Sequence, residues 1–201
     1  MPPGQTRVER AAATRAALVD SARTLFTERG CSLTGTEEIV SAAGVGTRGA
    51  LYHHFPDKEA LFEAVFEVIQ AELGDEILAS LPDTPADALS MLEEMLTTFL
   101  DRVVKRRDAQ VLLMDGPAVL GWQRFRQVVV RFGLVPIHGH LVTAMADGII
   151  ADQPIAPLAH LILGLAEDAA RYVAQADDRD GARLEVSGAL VHLLEGLRVS
   201  G

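Results

Sequence analysis

Residues 34–62 read Thr34-Gly-Thr-Glu-Glu-Ile-Val-Ser-Ala-Ala-Gly-Val-Gly-Thr-Arg-Gly-Ala-Leu-Tyr-His-His-Phe-Pro-Asp-Lys-Glu-Ala-Leu-Phe62. Thr34 followed three residues later by Glu37 has the spacing of a capping box, in which each side chain satisfies the other residue's free amide, and predicts a short helix over 35–43. Gly44-Val45-Gly46 then breaks the helix, and Thr47 is placed to cap a third one that carries Leu51 and Phe55 inward until Pro56 stops it. Asp57 caps the next helix, where Leu61, Phe62, Val65, Phe66 and Ile69 recur at helical spacing as far as about Leu81. Upstream, Leu18, Ala22, Leu25 and Phe26 mark the inner face of a helix from about Arg10 to Arg29, with Gly30 as its stop. Two short helices joined by a glycine-containing turn and braced by a longer helix on each side are the parts of a helix-turn-helix.

Outward from this stretch, nearly every segment is helical in pattern, which makes the class all-α. The division reads as an N-terminal helix-turn-helix unit of residues 1–58 and a C-terminal helical body of 59–201. Pro82-Asp83-Thr84-Pro85 precedes an amphipathic helix from Ala86 to about Arg107. Asp115-Gly116-Pro117, then Gly133 with Pro136, and Asp152-Gln153-Pro154 predict a middle region cut into shorter helices. Two long helices, near 157–176 and 179–198, close the chain.

The net charge of −10 argues at first against nucleic acid, since phosphate neutralisation needs Lys and Arg. Its distribution changes that reading. Residues 1–58 hold seven Lys/Arg against six Asp/Glu, while the remainder holds eleven against twenty-two. An acidic body behind a near-neutral head with local bases favours approach to DNA through the head alone. The longest nearly unbroken apolar run, Leu158 to Ala166, is short of a membrane span, and the polar start Met1 to Arg10 does not read as a signal peptide. A soluble, cytoplasmic protein is the expectation. The single cysteine, Cys31, supplies neither an intramolecular disulfide nor a cysteine-rich metal site.

The blocks Arg15 to Gly30, Thr34 to Val45 and Leu51 to Phe62 together resemble the TetR family of transcriptional regulators, in the family's order and spacing. One departure stands out: five residues, Gly46 to Ala50, separate Val45 from Leu51 where the family usually has four, which leaves the start of the third helix open by one position. Leu112-Leu-Met-Asp-Gly-Pro-Ala-Val-Leu-Gly-Trp122 is similar to a segment of some of its sensor domains. On chemistry alone, Tyr52, His53, His54 and Lys58 offer hydrogen bonds or charge beside the turn, as phosphate contact requires. The resemblance assigns that work to the same positions. Thr47, Arg48 and Gly49 stand at the head of the third helix, where an arginine can hold guanine O6 and N7. Thr34 and Thr36 are further candidates for phosphate, although capping alone explains Thr34.

For the body, the resemblance implies a small-molecule pocket and a two-fold dimer. Met95, Phe99, Met114, Trp122 and Phe125, with Met91 and Met145 near them in composition, are large adaptable side chains suited to an apolar pocket or to plain core packing. A lipophilic or aromatic effector would match. Leu161, Leu165 and Ala169 on one closing helix, and Leu190, Leu193, Leu194 and Leu197 on the other, are candidates for a four-helix dimer interface. The implied mechanism is a repressor bound as a homodimer to a palindromic double-stranded operator and released by its effector, with no cofactor and no membrane.

Rival chemistries are weak. Gly44-x-Gly46-x-x-Gly49 fits the dinucleotide-binding fingerprint, but that motif needs a preceding buried strand and a long following helix, and neither is predicted. His138-Gly-His140 places two imidazoles at i, i+2, which do not share a helix face, so a metal pair there is disfavoured. No Gly-x-Ser-x-Gly elbow occurs.

Overall fold

The structure, a computed structural model, describes residues 6–199. Met1 to Gln5 of the polar start lie outside this range. Eight helices follow one another and no strand occurs among the described residues: α1 (Arg7–Arg29), α2 (Thr36–Ala42), α3 (Arg48–His54), α4 (Lys58–Leu78), α5 (Ala88–Lys105), α6 (Arg107–Ala146), α7 (Ile155–Gln175) and α8 (Arg179–Glu195). The all-α class is as read from the sequence.

Helix α1 starts one turn earlier than its apolar pattern suggests. Thr6 caps it, accepting from the Glu9 N–H, and Glu9 accepts in return from the Thr6 N–H. Helices α1 to α3 enclose a small core of Leu18, Ala22, Phe26, Ile39 and Leu51, all fully buried. Helix α4 packs against α1 on one side and against α5 and α6 on the other. Phe62 meets Phe26 in the head, ring centroids 5.6 Å apart, and Phe66 stacks on Phe125 of the body at the same centroid distance. One helix therefore belongs to both cores.

The middle of the chain departs from the sequence reading. Residues 107–146 are not cut at Gly116-Pro117 or at Gly133 and Pro136; they break once, at Gly121, whose φ of 73° and ψ of 155° lie outside helical space. The side chain that decides this is Phe125. Its fully buried ring lies over Gly116, where an added Cβ would come within 2.6 Å of it, so the chain before the break stays helical and packed. By length and composition alone α6 is apolar enough to cross a membrane, which the division into short helices had hidden. Its second arm, however, carries Arg124, Arg126 and Arg131, each paired with an acid: Glu63 and Glu67 of α4 and Glu167 of α7. Such pairing suits a helix held inside a bundle.

After α8, Val199 donates its N–H to the Ile149 carbonyl at 2.9 Å, and Arg198 grips Asp87 at the start of α5. The head is fastened to the body by charge as well as by the shared helix. Arg23 of α1 bonds both Glu72 of α4 and Asp108 of α6, and Arg106 at the α5–α6 corner bonds the same two acids together with Glu76. Burial pushes the Asp108 carboxyl up, but the hydrogen bonds from Arg106 and Arg23 outweigh it and hold the group at about 2. A carboxylate with a depressed pKa stabilises the fold above its unfolded value and loses that contribution as pH falls toward the folded value. We therefore expect thermal stability to drop between about pH 4 and pH 2, with Asp108 supplying about 2 kcal/mol of the loss. The Asp108→Asn protein should be less stable at pH 7 and show a flatter decline over that interval in calorimetric melts; an unchanged acid limb would contradict the assignment.

Candidate nucleic-acid interface and cavity

Helix α3 is seven residues long and buries only one large side chain, Leu51. Thr47 caps it, accepting from the Ala50 N–H at 3.3 Å. This fixes the position that the five-residue spacing left open: the extra residue is absorbed in the turn Gly44-Val45-Gly46, where Val45 donates its N–H to the Val40 carbonyl at 3.1 Å, and the helix begins at Arg48. Thr47, Arg48, Gly49, Tyr52 and His53 are all exposed, and His54 is half-buried with its ring edge against His53. Arg48 reaches Glu37 at 3.2 Å and the Tyr52 hydroxyl at 3.4 Å, with its guanidinium over the Tyr52 ring. The hydrogen bonds from Arg48 and then Thr36 pull the Tyr52 hydroxyl below its usual range. Thr36 is half-buried at the first position of α2.

Two expected phosphate ligands have structural partners within the chain. Thr34 is 2% exposed and donates its hydroxyl proton to the carbonyls of Gly30 and Leu25 at the end of α1. Nor does it cap α2. The helix start is shifted by one residue, with Gly35 in the cap position and its N–H donated to Glu38 at 3.0 Å. Lys58 donates from Nζ to the Cys31 and Thr34 carbonyls at 2.8 and 3.2 Å, tying α4 to the α1–α2 loop. The loop is held from the other side by Asp115, which accepts from the Cys31 N–H. Nothing in the motif spacing distinguishes a lysine that binds phosphate from one that binds carbonyls of the preceding loop. The Cys31 thiol is buried, and burial pushes its pKa up to about 11.

In the body, a cavity of about 340 Å³ lies between α4, α5, α6 and α7. Of the side chains expected to line it, Met95 and Phe99 do so. Met114 is 38% exposed and Trp122 59% exposed, and Phe125 is locked in the aromatic stack of the core. The main lining missed from sequence comes from α4 and α6, including Leu73, Ile77, Val129 and Phe132, with two polar members, Gln70 and Glu167. Sequence periodicity marks these only as inward-facing.

The closing helices also differ from expectation. Leu161, Leu165 and Leu193 are exposed, whereas Leu190, Leu194 and Ala169 are buried within the chain and Leu197 is half-buried against its core. These four belong wholly or partly to the packing of α7 and α8 on each other and on α5. Tyr172 and Leu184 add exposed apolar area that the sequence reading omitted. Among the described residues no group of three His, Cys, Asp or Glu is placed to hold a metal, and His138 is exposed while His140 is half-buried.

Residues 18–65 match the family described as bacterial regulatory proteins, tetR family, and residues 89–197 match the tetracyclin repressor-like C-terminal domain. The chain belongs to the TetR family. Its relatives include the HTH-type transcriptional regulator AcrR of Shigella flexneri, 39% identical over 100 residues that make up 50% of this chain and 46% of AcrR. The chain thus spans about half the length of the curated relatives it matches. A TetR-family regulator from Pectobacterium atrosepticum superposes with a TM-score of 0.79 at 32% identity, over 98% of this chain and 99% of that one. A second, from Shewanella sp. PV-4, gives a TM-score of 0.71 at 25% identity, over 93% of this chain and 99% of that one. TetR-family members are regulators and not enzymes, which removes the dinucleotide reading of Gly44, Gly46 and Gly49. Gly44 and Gly46 form the turn of the helix-turn-helix, and Gly49 lies in the first turn of α3.

A Thr34→Val substitution keeps the shape of the side chain but removes the donor for two carbonyls at a buried site, a loss of about 1 kcal/mol. We expect a lower melting temperature with no loss of DNA affinity once the protein is folded; weakened DNA binding at unchanged stability would restore the phosphate role.

Proposed function

We propose that this TetR-family protein is a dimeric repressor that reads a two-fold operator through α3 and leaves it when a small apolar effector fills the cavity against α4. The observation that carries the reading is α3 itself: a short helix anchored by Leu51, with Thr47, Arg48, Gly49, Tyr52 and His53 all facing outward. In this reading Arg48 and Thr47 meet base edges and Gly49 allows close approach, while Tyr52, His53, His54 and Thr36 meet phosphate. A second copy would cover the outer faces of α7 and α8. Leu161, Leu165, Tyr172 and Leu193 are exposed there, around a shallow groove rimmed by Asp168 and Glu185. Paired heads on a two-fold axis fit a palindromic site in double-stranded DNA. Such a protein works in the cytoplasm, beside the DNA it controls.

Selection of bound fragments from genomic DNA supplies the operator and tests the reading directly. Affinity should fall steeply as salt rises. Arg48→Ala should cost roughly 1–3 kcal/mol and relax preference at one base position, whereas Tyr52→Phe should weaken matched and scrambled sites alike; equal losses for both variants on both kinds of site would sink the division of roles. For the dimer, Leu193→Glu sets a charge in the middle of the apolar face. Sedimentation should show a monomer with much weaker operator binding, and a dimer that survives this change would place the interface elsewhere.

A further inference from the structure

The cavity is asymmetric, and its two ends can be told apart. Glu63 pairs with Arg124 and Glu67 with Arg131, so α4 and the second arm of α6 run side by side in the same direction. At their later end stand Leu78 and Val135, both lining the cavity and both exposed, which makes that end the mouth. Gln70 and Glu167 stand at the earlier, inner end, Glu167 being fixed there by its bond to Arg126. Gln70 is 9% exposed and Glu167 only 3% exposed. The walls between are aliphatic and aromatic.

The inner end restricts what it can accept. Glu167 accepts from Arg126 through one oxygen, so the pair is neutral as a whole and offers little to a cation. The second oxygen remains an acceptor. Burial pushes the Glu167 carboxyl up, with Arg126 and then Arg171 pulling it down. A ligand carboxylate brought to this end would lie against the free oxygen of Glu167 while Arg126 is already engaged, and would lose its water for no new cation. The Gln70 carboxamide lines the cavity and carries both donor and acceptor atoms. A wholly apolar occupant would take this amide out of water without replacing its hydrogen bonds, which is costly, so an occupant that meets it is favoured. The volume, about 340 Å³, is near the lower bound for ligand pockets and suits a small occupant.

We propose that the cavity selects a neutral lipophilic molecule with one hydroxyl, a phenol or an alcohol, whose O–H donates to Glu167 and accepts from the Gln70 carboxamide. This rests on the proposed reading that the cavity is the effector site.

The test uses the full chain and three probes of one shape in calorimetric titrations: 4-butylphenol, 4-butylanisole and 4-butylbenzoate. The phenol should bind at least tenfold more tightly than the anisole, which lacks the donor, and the benzoate should bind more weakly still. Gln70→Leu should weaken phenol and anisole alike at least threefold, since both oxygens accept from the carboxamide, and should leave the ratio that depends on Glu167 in place, in protein whose helical melt shows it is folded. Glu167→Gln removes the buried negative charge while leaving Arg126, and should raise benzoate affinity at least tenfold. Equal or tighter binding of anisole or benzoate by the unsubstituted protein, no binding of any probe, or phenol affinity unchanged by Gln70→Leu would overturn the proposal. Operator release is measured separately. Phenol binding with the expected ratios but no release of DNA leaves the chemistry of the cavity standing and overturns the regulatory reading of it.

Discussion

Arg106 occupies the corner where α5 ends and α6 begins, in extended backbone with φ −109° and ψ 99°, its side chain 14% exposed. A guanidinium taken out of water is tolerated only where its hydrogen bonds are met by opposite charge, and here Glu72, Glu76 and Asp108 supply them. Arg23 shares Glu72 and Asp108 from the side of α1. Moving any one of these elements strips a partner from a poorly solvated charge, so α1, α4 and the α5–α6 corner have one mutual arrangement that satisfies all five groups. The head is built on α1, and the cavity walls begin at α4 and α5. The relative placement of the two sites therefore rests on this cluster.

Helix α4 turns that placement into a mechanical link. Its 21 residues span about 31 Å at helical rise. One end, through Asp57 and Lys58, sits directly after α3 and holds the loop between α1 and α2 by its carbonyls. The other end, through Gly74, Ile77 and Leu78, forms a side of the cavity mouth. Side chains between the ends are close-packed into two cores, and close-packed interiors transmit displacement because they have little free volume to absorb it. In the proposed reading, an occupant that shifts α4 against α6 is opposed at the ionic corner, and the displacement reaches α3 through the packed end of α4. The coupling needs no separate signalling route, since one rigid helix borders both sites.

What the sequence made legible follows from where one residue's role is local. Thr47 capping α3, Asp57 capping α4 and the inward Leu51 and Phe55 depend on neighbours within a turn or two, and each is where the pattern put it. The structural partners of Thr34 and Lys58, carbonyls at the end of α1 and in the loop after it, were not legible because only tertiary packing fixes the path of that loop. The break at Gly121 was hidden for the same reason. Gly116-Pro117 is the stronger local breaker, yet Phe125 packs over Gly116 and keeps that turn helical, so the strain is released five residues later. Met114 and Trp122 lie outside the cavity lining, much of which comes from α4. Gln70 and Glu167, polar residues inside apolar helical stripes, are visible in the sequence only as exceptions with no stated purpose.

The state of Arg48 in the free protein bears on how such a head discriminates. Its guanidinium is spread between Glu37 and Tyr52, both at the surface, and exposed ion pairs of this kind contribute about 0–1 kcal/mol. DNA can thus recruit the arginine at little cost. Glu37 nevertheless stays behind, a negative charge in the first turn of α2 within reach of the same helix. Away from a base that accepts Arg48, the acid faces phosphate with no compensating bond and opposes binding; at a guanine, two charge-assisted hydrogen bonds replace the ion pair. In the proposed reading, a head that is nearly neutral overall gains its selectivity from this exchange rather than from excess positive charge, and the acidic body behind it penalises every approach in which α3 is not the leading surface.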